Sequence, residues 1–491
     1  MALTLDRARR LADQLCMELL SRSGDVDRAT RYYRGEQPLK FASSEFKEYF
    51  GKRYTSFSDN WVQVVADAPV ERLTVMGVMP YGAQEADDES WRIWQENGLD
   101  VDSQLAFLGA GNGARSFALV WGNPDDEDTP VVTFEDASQA IVAYEAGSRR
   151  KRIAAAKWWQ DGSVEYVTLY TRDELWKFRR SLQKGTKTPA MSQVDDEVRE
   201  WELRDVEETG DEKNPQANPM GVVPMVELPN RPLMVGEPVS DVLGVTAMQD
   251  AINLIWAQLL TAADYASFKQ RLILGAEMPK VPILNERGEQ IGEKPVDLKK
   301  FAADRVMWIE DENAKIAEWG ATDLANYTGV LEVAVGHIAA QTRTPSHYLI
   351  GKISNLSSDA LIAAETGLVK KAEEKHLWYG GGLREMFRLV ALAQDDEAKA
   401  RALAAGTVLW KDAETRNRAQ LTDSLVKLKS VGFPFEWLAG QYDLTPPEIA
   451  TLMAMREREA ELDPIGQLMN GRPELDGPPD EPTPEPDPAE A

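Results

Sequence analysis

The 491-residue sequence holds one cysteine, Cys16, and three histidines, His337, His347 and His376. One cysteine excludes an intrachain disulfide, and with it a secreted disulfide scaffold, and it fits a reducing compartment. No Cys/His set has zinc-ligand spacing, so no structural zinc site is expected. Clean apolar runs are missing as well. The most apolar stretch, Val242 to Ala263, is broken by Thr246, Gln249, Asp250, Asn253, Gln258 and Thr261. It offers nothing like the roughly 20 apolar residues a bilayer requires. Residues 1–20 carry Asp6, Arg7, Arg9, Arg10 and Asp13, and read as neither a signal peptide nor an anchor. A soluble intracellular protein is the expectation. Positive charge is scarce: 55 Lys and Arg against 81 Asp and Glu give a net charge of −26. That surface repels phosphate, so a general nucleic-acid binder held by charge neutralisation is excluded, and any contact with DNA must be local or non-gripping.

What is present supports folding. Apolar residues make up 43% of the chain, enough for sizeable cores, and the length suggests about two to four structural units. Leu5, Ala8, Ala12, Leu15 and Leu19 share a helical face; a second helix is expected from about Asp25 to Tyr33. A third follows Asp59 as cap, with Pro69 bending or breaking it. Thr74–Pro80 is strand-like and Asp87–Asn97 helical. From Arg115 to Leu228 short apolar or alternating runs dominate: Ser116–Trp121, Val131–Phe134, Ala140–Tyr144, Ile153–Trp159, Val164–Tyr170 and Trp201–Asp205. Asp161-Gly162 marks a hairpin between two of them, and Thr209–Gly221 reads as an exposed loop. A long helix over Asp241–Gln270 carries Val245, Met248, Ile252, Ile255, Leu259, Ala262 and Ala266 at alternating spacings of three and four, a seam for a neighbouring helix. A β-rich piece, Leu272–Trp319, precedes another helix, Thr322–Thr342, on which Gly329 and Gly336 suggest close backbone approach. Thr344–Ser357 reads as a loop. A helix from Ser358 to about Gln394 is expected to be kinked or interrupted at Gly380-Gly381-Gly382, and two or three shorter helices follow between Ala413 and Leu462. Asp463–Ala491 holds eight acids, one base and 8 of the 27 prolines, the composition of a disordered tail.

Catalytic motifs are weak throughout. Gly109-Ala110-Gly111-Asn112-Gly113-Ala114 matches a relaxed dinucleotide fingerprint, but it follows a helical pattern and precedes a strand, the reverse of the order that places a helix N-terminus on pyrophosphate; a glycine helix stop is expected. Gly51-Lys52-Arg53 and Gly351-Lys352-Ile353 lack the rest of a P-loop, and neither H-E-x-x-H nor G-x-S-x-G occurs. The runs Asp125-Asp126-Glu127-Asp128 and Asp195-Asp196-Glu197 read as solvated surface. Arg149-Arg150-Lys151-Arg152 reads as the tip of a hairpin, with an acidic partner as the alternative.

The order of features resembles the portal proteins of tailed bacteriophages with long non-contractile tails. The likeness rests on Tyr32-Tyr33-Arg34-Gly35-Glu36-Gln37-Pro38-Leu39; on Asn60-Trp61-Val62-Gln63-Val64-Val65-Ala66-Asp67 with Val70-Glu71-Arg72-Leu73; on Pro229-Asn230-Arg231-Pro232, then Gly236-Glu237-Pro238-Val239-Ser240-Asp241-Val242 and Gln249-Asp250-Ala251-Ile252-Asn253; and on Thr344-Pro345, Gly351 and Leu356-Ser357-Ser358-Asp359-Ala360-Leu361. It spans nearly the whole chain to Leu462. It implies an α+β portal fold: an α/β wing (1–238), a first stem helix (239–271), a small β-rich clip (272–320), a second stem helix (321–343), a tunnel loop (344–357), a long kinked wing helix (358–399), a helical crown (400–462) and a disordered acidic tail (463–491).

The resemblance further implies a homo-oligomeric ring, usually of about twelve subunits, at one capsid vertex, through which double-stranded DNA is packaged and ejected. Partners would be the terminase packaging motor, the head-tail connector and the major capsid protein, with no membrane, cofactor, metal or catalytic residue. His347, Lys352 and Asn355 would face DNA in the tunnel loop. Assembly would occur in the host cytoplasm and the product would reside in the virion. The rival classes are a nucleotide-dependent enzyme or metal nuclease, and a capsid or adaptor subunit without a channel.

Overall fold

The computed structural model describes residues 3–44, 47–48, 58–181, 201–205, 207, 213–267, 271–274, 280–284, 287–288, 290–295, 306–309, 324–350, 358–414, 418–442, 444 and 446–462. It opens with helix α1 (Leu5–Tyr33). One stripe of Ala8, Ala12, Leu15, Leu19, Val26, Ala29 and Tyr32 is buried along its whole length. That continuity corrects the expectation of two helices: the stripe carries on past Gly24, whose glycine lowers helix propensity without ending the helix. Helix α2 (Trp61–Val70) follows, with Pro69 in its last turn. The cap position belongs to Asn60 rather than Asp59.

Strand β1 (Val75–Met79) and helices α3 (Asp88–Glu96) and α4 (Leu99–Gly113) come next. The Asp87 carboxylate caps α3 by accepting from the Ser90 amide. The glycine motif forms the last turns of α4, which stops at Ala114 in the left-handed region, φ 68°. The expected helix stop is therefore observed. β2 (Arg115–Trp121) leaves directly from it.

Two antiparallel sheets follow. The first orders β2 between β3 (Val131–Asp136) and β10 (Met225–Pro229). The second runs β4 (Ala140–Tyr144), β5 (Arg152–Asp161), β6 (Val164–Thr171), β7 (Glu174–Ser181) and β8 (Glu202–Leu203), with β9 (Gln216–Ala217) also pairing to β7. Asp161 pairs with Val164 across the expected hairpin, where Gly162 takes φ 56°. The expected loop at Thr209–Gly221 contains strand β9 and the buried Asn218 and Met220; Asn218 holds the segment down by donating to the Thr171 and Val222 carbonyls.

After a single 3₁₀ turn (Leu243–Val245), helix α5 (Thr246–Ser267) leads to β11 (Arg271–Leu274), β12 (Lys280–Leu284), β13 (Gln290–Pro295) and β14 (Val306–Ile309). β11 lies parallel to β14, and β12 pairs antiparallel with β13. Helix α6 (Ala325–Thr342) returns and packs on α5. A short helix α7 (Ser346–Ile350) opens what the sequence suggested was loop, and helix α8 (Ser358–Ala393) follows. Then come α9 (Glu397–Ala404), β15 (Thr407–Trp410), α10 (Arg418–Ser430), α11 (Phe435–Gly440) and α12 (Pro446–Leu462). β15 lies in a stretch expected to be helical and pairs with β1, so Leu403 and Val408 join the first core.

Helix α8 runs through Gly380-Gly381-Gly382 without interruption, correcting the expected break. A Cβ on Gly382 would sit 2.9 Å from the Glu227 carbonyl oxygen and 3.0 Å from Leu228. The glycine is there to let strand β10 lie against the helix. α8 is thus the spine of the largest core, in which Tyr379, Leu383, Met386 and Phe387 meet Trp94, Phe107 and Leu228. A second core joins the end of α1 and α2 to α5, α6 and α7. A third seats the start of α1 on the larger sheet. The tail, residues 463–491, lies outside the described residues.

Candidate functional site

Three of the segments that carried the resemblance meet at the root of α5, in a partly buried polar network. Tyr32 lies in the last turn of α1, and its hydroxyl lies 2.7 and 2.8 Å from the two carboxylate oxygens of Asp250. Burial raises the Asp250 carboxyl above its ordinary range, and the Tyr32 hydrogen bond only partly offsets this. The Gln37 amide donates to the Tyr32 carbonyl at 3.0 Å and to Asn60 Oδ1 at 2.9 Å. It accepts from Ser58 at 2.9 Å and from Asn253 at 2.5 Å. Gln249 accepts from the Trp61 amide at 3.0 Å and donates to the Asp59 carbonyl at 2.7 Å. The Asp59 carboxylate takes the indole N–H groups of Trp61 and Trp256, at 3.0 and 2.7 Å. Asn60 at the start of α2, Gln37 after α1, and Gln249 and Asn253 one turn apart on α5 therefore lock three elements in one register. Each buried polar group here needs its partner, so the network is far more specific than apolar packing alone.

A second constellation fixes the other side of the same root. Lys371, Lys375 and Tyr379 stand one turn apart on α8. Lys375 is fully buried; its Nζ donates to Asn230 Oδ1 at 2.5 Å, Asp241 Oδ2 at 2.6 Å and Tyr379 Oη at 3.3 Å. Lys371 Nζ lies 3.6 Å from Asp241 Oδ1. Asp241 in turn donates its amide to the Gly111 carbonyl at 2.8 Å, and a Cβ on Gly111 would meet Asp241 Oδ2 at 3.6 Å. Two of the motif glycines in α4 thus have packing roles, Gly113 being crowded by Ala137 and Val26. Asn230 clamps the base of the 230–239 loop by exchanging hydrogen bonds with Val239, and its neighbour Arg231 takes φ 47°. Burial raises the Asp241 carboxyl, but the ammoniums of Lys375 and Lys371 outweigh that and hold it below its ordinary range. Burial pushes Lys371 down to about 8, with Asp241 only partly compensating.

Of the loop residues expected to face DNA, the structure places His347 on α7, where its side chain is 8% exposed. His347 Nε2 lies 3.6 Å from Glu365 Oε1, and the ring sits edge-on to Tyr348. Glu365 also pairs with Arg72, whose Nη2 donates to it at 2.9 Å and to Tyr348 Oη at 3.1 Å, while Nη1 donates to the Ala413 carbonyl. Burial disfavours the Arg72 charge, but the hydrogen bonds to Tyr348 and Glu365 more than offset it and raise its pKa. The start of the loop is thereby tied to α2, α8 and residue 413. Lys352 and Asn355 lie outside the described residues. The basic run divides: Arg149 and Lys151 are exposed, whereas Arg152 is tucked against Glu385 at 2.6 Å. No group of three or more potential metal ligands occurs among the described residues, and no helix among them is long and apolar enough to cross a membrane.

In this mixed helix-and-sheet chain the residues brought together are a structural junction that ties the root of α5 to α1, α2 and α8. Residues 19–434 match the family model described as phage portal protein, SPP1 Gp6-like, and the chain belongs to that family. It is 28% identical over 388 residues to the portal protein of Mycobacterium phage L5 and 29% identical over the same length to that of Mycobacterium phage D29; each comparison covers 75% of this chain and 72% of the relative. Its function is that of a phage portal protein, a structural conduit for DNA packaging and ejection.

Proposed function

We propose that copies of this chain close into a dodecameric ring at one capsid vertex, with α5 and α6 as the stem around the central channel. β11–β14 are the clip that meets the terminase motor and the head-tail connector. Residues 1–238 with α8 form the wing, residues 400–462 the crown toward the capsid interior, and residues 344–357 the loop nearest passing DNA. The protein is assembled in the host cytoplasm among major capsid protein subunits and remains in the virion. In the loop, Lys352 supplies one full positive charge per subunit, with Asn355 as a polar neighbour, while the buried His347 anchors the start of the loop against Glu365. Affinity for DNA rises steeply with each phosphate neutralised, so a single charge per subunit touches the duplex without arresting it, and the strongly acidic chain limits sticking elsewhere.

The observation that carries this reading is the outer stripe of α6. Leu331, Ala334, Val335 and Ile338 face the second core. On the opposite side Val330 and Val333 are 54% and 57% exposed. Gly329 and Gly336, on that same side, would meet no atom within 4 Å if given a Cβ. An apolar stripe interleaved with glycines, left open by its own chain, is the surface a neighbouring subunit covers in a closed ring. Val330→Asp together with Val333→Asp is expected to abolish rings in negative-stain images while leaving the helical circular dichroism of the subunit intact. Rings of normal yield from that variant would contradict the assignment.

A further inference from the structure

The start of α1 and the larger sheet enclose an open cleft of about 540 Å³. It is lined by three arginines, Arg7, Arg10 and Arg172, all exposed. Leu3, Leu11 and Ile153 supply apolar wall, Ile153 being 46% exposed. Among the described residues none of the three guanidiniums forms an ion pair with a carboxylate. Two acids share the lining, but Glu174 is engaged as acceptor of the Leu3 amide at 3.3 Å, and Asp173 beside it leaves the cleft with more arginines than acids. In a chain with net charge −26, three exposed guanidiniums that outnumber the two lining carboxylates beside apolar wall are a place for an extended, carboxylate-rich segment. Arginine forks hold carboxylates, and proline-bearing peptide lies on apolar surface without needing backbone partners.

We propose that this cleft seats the chain's own acidic carboxy-terminal segment, residues 474–490, from the same or a neighbouring subunit. The complementarity is direct. That segment contains Glu474, Asp476, Asp480, Glu481, Glu485, Asp487 and Glu490 with no basic residue, and six prolines between 478 and 488. Proline restricts the unbound chain, so docking in an extended form costs less conformational entropy. The 11 residues between Leu462 and Glu474 give the segment a tether of up to roughly 40 Å when extended.

Mobility of the segment in the intact chain is the test. Cys16 is buried and its thiol is pushed up to about 12 by that burial, so Thr483→Cys gives a full-length chain that takes one maleimide fluorophore in the segment. The label is expected to tumble slowly at low salt and to lose about half its anisotropy at about 0.5 M salt, where screening is nearly complete. Arg7→Glu with Arg10→Glu and Arg172→Glu should release it to the same degree. A second variant leaves the folded body untouched: Asp480→Asn, Glu481→Gln, Glu485→Gln and Asp487→Asn must have the same effect. Release by salt and in both variants supports the proposal. A label already fast in the parent, or one that stays slow in either variant, overturns it and leaves the cleft to some other acidic partner.

Discussion

Lys375 is the residue on which the junction between α8 and the root of α5 turns. It continues the core stripe of its own helix, between Leu368 on one side and Tyr379, Gly382 and Met386 on the other. Buried there, its ammonium depends on Asp241 and Asn230. Two buried lysines share one carboxylate, and this sets the energetics. Asp241→Asn leaves both ammoniums buried without an anion and is expected to destabilise the subunit by about 3–5 kcal/mol, whereas Lys371→Met, which removes the surplus charge, should be near neutral or stabilising; denaturant midpoints decide between them. The pH dependence has a definite sign. Lys371 titrates near 8 when folded, below its ordinary 10.5, so the folded state releases that proton first. Its contribution is least favourable below about pH 8 and improves as pH rises toward about 10.5. Lys371→Met should flatten that slope in unfolding experiments between about pH 7.5 and about pH 10. The sequence held a signal for this site: Lys375 stands where the three-four spacing of α8 asks for an apolar residue. It was not decisive, because lysine on a helix usually marks a solvated face, and the acid that pairs with it is more than a hundred positions away.

At the scale of elements, the glycines of α8 separate two effects that sequence alone runs together. Three consecutive glycines suggest a break, yet the helix continues because Gly382 is the contact with β10. Gly382→Ala forces a Cβ to 2.9 Å from the Glu227 carbonyl oxygen and is expected to cost about 1–3 kcal/mol. Gly381→Ala points into open space and should stabilise by up to about 1 kcal/mol through helix propensity. Thermal unfolding of the two variants should move in opposite directions. Elements with a local signal were legible: the Asp161-Gly162 hairpin, the helix over Asp87–Asn97, the stripe of α5. Those whose pattern is set by distant neighbours were not. Glu174–Ser181 pairs between β6 and the short β8 and β9, but Lys177, Arg179 and Arg180 hide its alternation, and Arg180 is accommodated by stacking 4.2 Å from the Trp201 ring and by pairing with the buried Glu165 and with Asp13. β15 is four residues long and exists because β1 supplies its partner.

For the whole molecule, three of the stretches on which the family resemblance was read converge in the fold. Residues at 32–37, 58–61 and 249–253 are far apart in the chain and converge on one hydrogen-bonded knot. The function follows from that resemblance rather than from any single residue, since a conduit does its work through assembly and not through a reactive group. In the proposed ring, the open stripe of α6 is the surface that a neighbouring subunit covers. Negative-stain imaging of the purified full-length chain, with its mass determined in the same buffers, tests this most directly. Closed rings with a central hole, at a mass many times the 54.7 kDa of one chain, are the expected result at low and at moderate salt. A population consisting only of single subunits at micromolar concentration, across those salt conditions, would contradict it.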